Sequence, residues 1–378
     1  MKSIRFIYLL LLCTAVAQTQ TITMSEWQQL VPSDLLPAEV KTRNSNNNLD
    51  VALFNGRYYL AFRTAPTHFA SRKTKMYIVS SADLQTWQFE QEIEHGYDLR
   101  EPRFLVHDGK LFFYYFEGGK NPFGFEPRHV WMKEYQPATG WKASHNIGLD
   151  GFVPWRFRTR NDTIYLSAYY GKNLYSAGHQ ADLRLFTSTN GYQWNPLTDH
   201  AQCIAENAEE GEFIFDKQGN LWGTVRLESQ GALIVTADHD DLGNWCTNST
   251  KYKYDSALMF AQGDDIYVVS RRNVDGEMAK APEKLGQNTK EKYNLIRYWL
   301  TTKKTALFKL NKDNMELEHL LDFPSTGDTA FPGIAQIDER TFLLLNYSSN
   351  IQDKNRNWFS GQVGKTYIYW TILKLDGS

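Results

Sequence analysis

SSADLQTW, residues 80–87, decides the fold. It is a polar turn that ends in tryptophan, and it has three counterparts downstream: YQPATGW (135–141), TSTNGYQW (187–194) and DHDDLGNW (238–245). Their closing residues, Trp87, Trp141, Trp194 and Trp245, follow one another at intervals of 54, 53 and 51 residues. Self-similarity at a period near 50 marks solenoids and propellers. The runs between the tryptophans are short, β-branched and aromatic, and they carry no helical stripe, so the repeating unit is a set of strands. Four-stranded antiparallel blades around a channel meet both conditions, and the chain is expected to be an all-β propeller.

Hairpins count the blades. LDVALFNGRYYLAFR (49–63), LREPRFLVHDGKLFFYYF (99–116) and FVPWRFRTRNDTIYLSAYY (152–170) open the first three repeats. EGEFIFDKQGNLWGTVR (210–226), SALMFAQGDDIYVVSRR (256–272) and AFPGIAQIDERTFLLLNYS (330–348) open the rest. The loops FNGR, HDGK, RNDT, KQGN, QGDD and IDER fall where a tight turn needs Gly, Asn or Asp. A third strand follows each pair, and the tryptophan starts the fourth. Met315 takes its place in the fifth repeat, after an insertion over roughly residues 273–302. The sixth repeat has no fourth strand of its own; SEWQQLV (25–31), with Trp27, supplies it, so that the N-terminal strand closes the last blade and removes open sheet edges. Six blades are expected, with five as the alternative.

Residues 1–17 read as a signal peptide: Lys2 and Arg5, an apolar run, then Ala15 and Ala17 before Gln18. Export to the periplasm or the exterior is expected, with residues 18–378 as one propeller domain acting as a monomer. LLLC (10–13) has leucine where a lipoprotein box wants a small residue before the cysteine, and no later segment is long and apolar enough to span a bilayer. A net charge of −2 gives no footing for nucleic acid. Cys203 and Cys246 could pair in an oxidising compartment or stay as two thiols; spacing does not fix their distance. The histidines are scattered without metal-ligand spacing, and neither a metal nor a cofactor is expected.

SSADLQTW and TSTNGYQW resemble the Asp-box of sialidases, a turn between third and fourth strands that serves folding. EEGEFIFDKQGNLWGTVR resembles the sialidase stretch in which a Glu opens the inner strand and an Arg ends the second. That resemblance implies that Glu210 polarises a nucleophile and that Arg226 grips a substrate carboxylate. Other sialidase positions are filled differently here. Asn47 and Asn48 stand where an Arg is expected, RTAPTHFASRKTK (63–75) has His68 and no carboxylate, and Phe331 replaces the nucleophilic Tyr, with Asp328 just before it. A second resemblance is to five-bladed furanosidases such as arabinanases, xylosidases and invertases. It implies a set of three carboxylates: Asp50, Asp150, and Glu210 or Glu212.

Inner-strand starts converge on one mouth of a propeller channel. Here they include Asn48, Asp50, Arg100, Glu101, Arg103, Trp155, Arg156, Glu210 and Glu212, with Arg63 and Arg226 at the ends of second strands. Unpaired charge at a narrow axis is costly, so such a set serves either a polar sugar substrate or a ring of salt bridges. His68 sits in a loop at the same mouth, either as a proton donor or as a structural residue. Tyr347 either faces the mouth or packs in its strand. The expected activity is glycoside hydrolysis of a terminal or near-terminal sugar. Glu210 is then base, nucleophile or tyrosine activator, and His68, Glu101 or Asp328 supplies the proton. A carbohydrate-binding propeller without catalysis and a polysaccharide lyase acting on a uronate are the alternatives. The insertion, with Arg297, Tyr298 and Trp299, either folds over the mouth or is a surface excursion.

Overall fold

Two-residue loops close the first two hairpins in the left-handed conformation that matches the twist of paired strands. Asn55 and Gly56 have φ of 49° and 73°, and Asp108 and Gly109 have φ of 49° and 66°. The computed structural model describes residues 21–376 apart from 123, 173, 176–178, 207 and 279. The signal-peptide reading therefore lies outside the described residues. Six antiparallel sheets follow the chain in order. Their inner strands are Ser45–Phe54, Leu99–His107, Val153–Arg160, Ala208–Phe215, Asp255–Gln262 and Thr329–Gln336.

The ring closes as expected. Thr21–Met24 and Gln28–Val31 both pair with the last strand, Tyr367–Asp376, placing Thr21 opposite Asp376 and Gln28 opposite Trp370. Trp27 stands between these two short strands, with its ring 5.4 Å from that of Phe323. The period-setting turns act through local hydrogen bonds. Ser81 Oγ accepts from the Leu84 amide at 2.9 Å, and Asp83 accepts from the Gln85 and Thr86 amides at 2.9 and 2.7 Å. Ser188 and Asn190 repeat the pattern in the third blade, with Gly191 at φ 77°. These side chains satisfy turn amides that would otherwise go unpaired.

The apolar core lies in layers between neighbouring blades. Tyr59, Ile78, Phe104, Phe113 and Tyr115 join the first blade to the second, and Leu258, Val269, Phe342, Leu344 and Leu373 join the fifth to the sixth. Each blade's flat faces are thus buried on both sides, and polar residues are left to the axis and the rim. The insertion forms helix α1 (Gln287–Leu300), which packs on a short helix, α2 (Trp358–Gln362), in the last blade. Among the described residues no helix is long and apolar enough to cross a membrane. Cys203 is buried and Cys246 exposed, and they are not bonded to each other.

Candidate active site

All six inner strands carry a β-bulge near their start, where the register against the second strand shifts. The bulge residue is Asn48, Glu101, Trp155, Glu210, Ser256 or Phe331. Five of these six have left-handed backbone, with φ of 41° at Asn48, 49° at Glu101, 50° at Glu210, 50° at Ser256 and 56° at Phe331. None is glycine, so each is a strained position of the kind that gathers at functional sites. A bulge re-aims its side chain, and the same five side chains line one cavity of about 620 Å³ at the channel mouth. Asp50, Arg103 and Glu212 lie two residues further along their strands, on the channel side but deeper.

Glu101 and Glu210 face that cavity from the second and fourth blades. Glu101 Oε1 accepts from Asn48 Nδ2 at 3.1 Å, while its buried Oε2 has no hydrogen-bond partner. Burial pushes its pKa up to about 7 against the pull of Arg103 and Arg100, with Glu210 adding to the rise. Glu210 is held differently: Oε1 accepts from Arg226 at 2.6 Å and Oε2 from the Ser256 amide at 2.6 Å. Arg226 also donates to Glu228 and lies 3.4 Å from Asp255. Burial opposes its charge, but these carboxylates outweigh that and keep it protonated.

On the other wall His68 Nδ1 is 2.7 Å from Asp328 Oδ2. Asp328 is fully buried, and its Oδ1 accepts from Tyr347 Oη and Trp358 Nε1, each at 3.1 Å. Burial would raise the Asp328 pKa; the charge and hydrogen bond of His68 reverse that and hold it low. Burial lowers the His68 pKa, and Asp328 offsets this only in part. The neutral ring therefore donates Nδ1–H to the carboxylate and keeps Nε2 as an acceptor. The loop that carries it is clamped from below. Arg100 donates to the His68 carbonyl at 2.7 Å, Arg63 donates to the Phe69 carbonyl at 3.1 Å, and both arginines converge on buried Asp98.

The structure brings together Asn48, His68, Arg100, Glu101, Glu210, Arg226 and Tyr347 as cavity walls. It corrects several other assignments. Asp328 has no exposed surface to offer a substrate and acts on His68 instead. Arg63 is wholly buried and committed to Asp98, Asn47 and the loop carbonyls. Asp150 is exposed, 3.1 Å from His129, and lines no part of the cavity. Asp50, Arg103, Trp155, Arg156 and Glu212 form a layer under the floor. There Arg156 and Arg158 grip Glu212, Arg103 donates to the Trp155 carbonyl, and Asp50 accepts from the Phe104 amide at 2.7 Å. Phe331 caps this layer, its ring 4.2 Å from the Arg103 guanidinium and 5.4 Å from Trp155. Salt bridges thus fill the channel, while the mouth holds an open cavity whose charges are themselves partly paired.

Sequence reasoning missed Asp98, Tyr175, Ser256, Arg271 and Trp358. Asp98 directly precedes LREPR, so the same strand-start logic reaches it when extended by one residue. Arg271 ends a second strand, as Arg226 does, and it donates to Asp255 at 3.1 Å and stacks over Trp358. From the insertion Tyr298 donates to Asp255 at 2.6 Å and Trp299 lines the cavity, while Arg297 turns away to Asp275. Among the described residues one group of acids and histidine is tight enough for a metal, Asp238, His239 and Asp240, on an exposed turn outside the cavity.

This six-bladed propeller is structurally similar to sialidases. It superimposes on the sialidase of Trypanosoma rangeli with a TM-score of 0.56 at 11% identity, covering 87% of this chain and 55% of that one. The endosialidase of phage phi92 gives a TM-score of 0.56 at 9% identity, over 86% of this chain and 66% of that one. A Dyadobacter fermentans protein of unknown function gives 0.62 at 13% identity, over 94% and 99%. Identities this low establish the fold alone. No family model matches the chain, and no curated protein does.

Proposed function

We propose that this chain is an exported glycoside hydrolase that removes a terminal or near-terminal sugar from a glycan, with Glu101 as general acid and Glu210 as base or nucleophile. One observation carries the reading: two glutamates on equivalent bulges face one cavity in unlike environments. Glu101 retains a proton up to about pH 7 and its Oε2, 3.8 Å from Arg103 Nη2, makes no hydrogen bond, whereas both oxygens of Glu210 already accept N–H donors. A protonated carboxyl facing an ion-paired one divides acid from base in glycoside cleavage. Glu101 would protonate the leaving oxygen while Glu210 attacks the anomeric carbon or activates water. His68, neutral and oriented by Asp328, would accept a sugar hydroxyl through Nε2.

The cavity arginines support hydrolysis over elimination. A lyase needs a cation free to neutralise a uronate, and here Arg226 and Arg271 already face carboxylates while Arg100 is bound to Asp98. That pairing also separates the site from the carboxylate grip implied by the sialidase resemblance, and it favours an uncharged sugar. The test is digestion of a panel of neutral and acidic glycans with detection of products. New reducing ends support hydrolysis, an unsaturated uronate would mean a lyase, and binding without turnover a lectin. Glu210→Gln should lower turnover by about 10²-fold or more, the scale of acid–base catalysis. Unchanged hydrolysis in that variant would remove Glu210 from the mechanism.

A further inference from the structure

Helix α1 is inside out. Glu291, Asn294 and Tyr298 are buried, Glu291 to 3% exposure, while Ile296 and Leu300 are 57% and 60% exposed and Tyr293 and Trp299 stand out beside them. The fold explains the inner face. Asn294 accepts from the Lys280 and Ala281 amides, and Tyr298 reaches the Asp255 carboxylate, so a polar mouth demands polar contacts from the helix above it. Among the described residues nothing covers the outer face. Tyr293, Ile296 and Leu300 recur at the three- and four-residue spacing of one helical stripe. Phe359 and Val363, on and just beyond α2, are likewise exposed, and the Phe359 and Trp299 rings lie 6.4 Å apart and nearly parallel.

We propose that this face joins two copies of the chain, in place of the monomer expected from the sequence. Six large side chains, each about half exposed, offer on the order of 500 Å² of apolar surface, the upper end of what a monomer leaves bare. Doubled by a two-fold axis and widened by its rim, the patch reaches the roughly 1,200 Å² at which stable interfaces begin. Ile296, Leu300 and Val363 are aliphatic, and they match another protein face better than the hydroxylated face of a sugar. Because Trp299 also lines the cavity, the partner copy would stand at the rim of the site and narrow the approach of branched glycans.

Sedimentation velocity of the protein across the micromolar range tests this directly. The expected result is a species of twice the chain mass. The double variant Ile296→Glu/Leu300→Glu is expected to sediment as a folded monomer with the far-UV circular dichroism of wild type, since both residues are solvent-exposed in the single chain. A wild-type protein that stays monomeric up to high micromolar concentration would overturn the proposal. So would a dimer that survives the double substitution. A monomer that co-sediments with phosphatidylglycerol vesicles would assign the face to a lipid surface instead.

Discussion

Replacing Glu101 by Gln removes a proton that the folded protein holds more tightly than the unfolded chain does. A pKa of about 7 in place of 4.5 means that ionising this carboxyl costs about 3 kcal/mol more in the fold than out of it. The sign follows from proton counting: between the two values the folded state binds more protons, so the contribution of Glu101 to stability is intact below pH 4.5 and falls as pH rises through 7. Glutamine keeps the shape and the Asn48 contact without ever ionising. At pH 4 the two proteins should therefore differ little, while above pH 8 the variant should be about 3 kcal/mol more stable relative to wild type. For a domain of this length that corresponds to about 4 °C in melting temperature. Thermal unfolding followed by circular dichroism at a series of pH values reads the difference without any substrate. A gap between the two proteins that stays constant from pH 4 to pH 9 would refute a buried, near-neutral Glu101. Where a substrate is in hand, the same variant should lose the alkaline limb of the kcat/KM profile.

Asp328→Asn should move the His68 pKa further down, because the carboxylate is what partly sustains it, and nitrogen-detected NMR of the imidazole measures this; an unmoved pKa would sever the pair. The same variant should lower kcat/KM by about 10²-fold or more through loss of the oriented tautomer. Arg226→Ala leaves Glu210, Glu228 and Asp255 buried around a missing cation, and urea unfolding should show a loss of about 3–5 kcal/mol. A loss below about 1 kcal/mol would show that those carboxylates are not mutually held by this arginine.

The blades were legible because their signals are local. A Gly, Asn or Asp at a hairpin tip and a Ser–Asp turn before tryptophan act within a few residues, so the count of six needed no long-range information. The same holds for the strand-start charges that led to Glu101 and Glu210. What separated mouth from channel was not legible, because it depends on a bulge in each inner strand. Bulges usually announce themselves with glycine; here the left-handed residue is Asn, Glu, Ser or Phe. Asp50, Arg103 and Glu212 were therefore read as walls although they lie beneath the floor. Partnership across the ring was equally hidden. His68 and Asp328 are 260 residues apart in sequence, and only closure of the last blade against the first makes them neighbours. Arg63 ends a second strand, and its partner Asp98 comes from the next blade.

The left-handed bulges also separate the foldability of this protein from its chemistry. Each costs about 1–2 kcal/mol that glycine would not, and the scaffold bears that cost with asparagine, glutamate, serine and phenylalanine alike. The same backbone shape thus carries four kinds of side chain at five positions. The mouth behaves as a ring of exchangeable sockets, open to recoding one at a time while the blades stay as they are. Glycine at Asn48, Glu101, Glu210, Ser256 or Phe331 would relieve that backbone strain and empty the site, while at Glu210 and Phe331 it would also remove the ion pair to Arg226 and the buried ring over Arg103. Evolvability of this kind lets one architecture be retuned to a new ligand without a new fold.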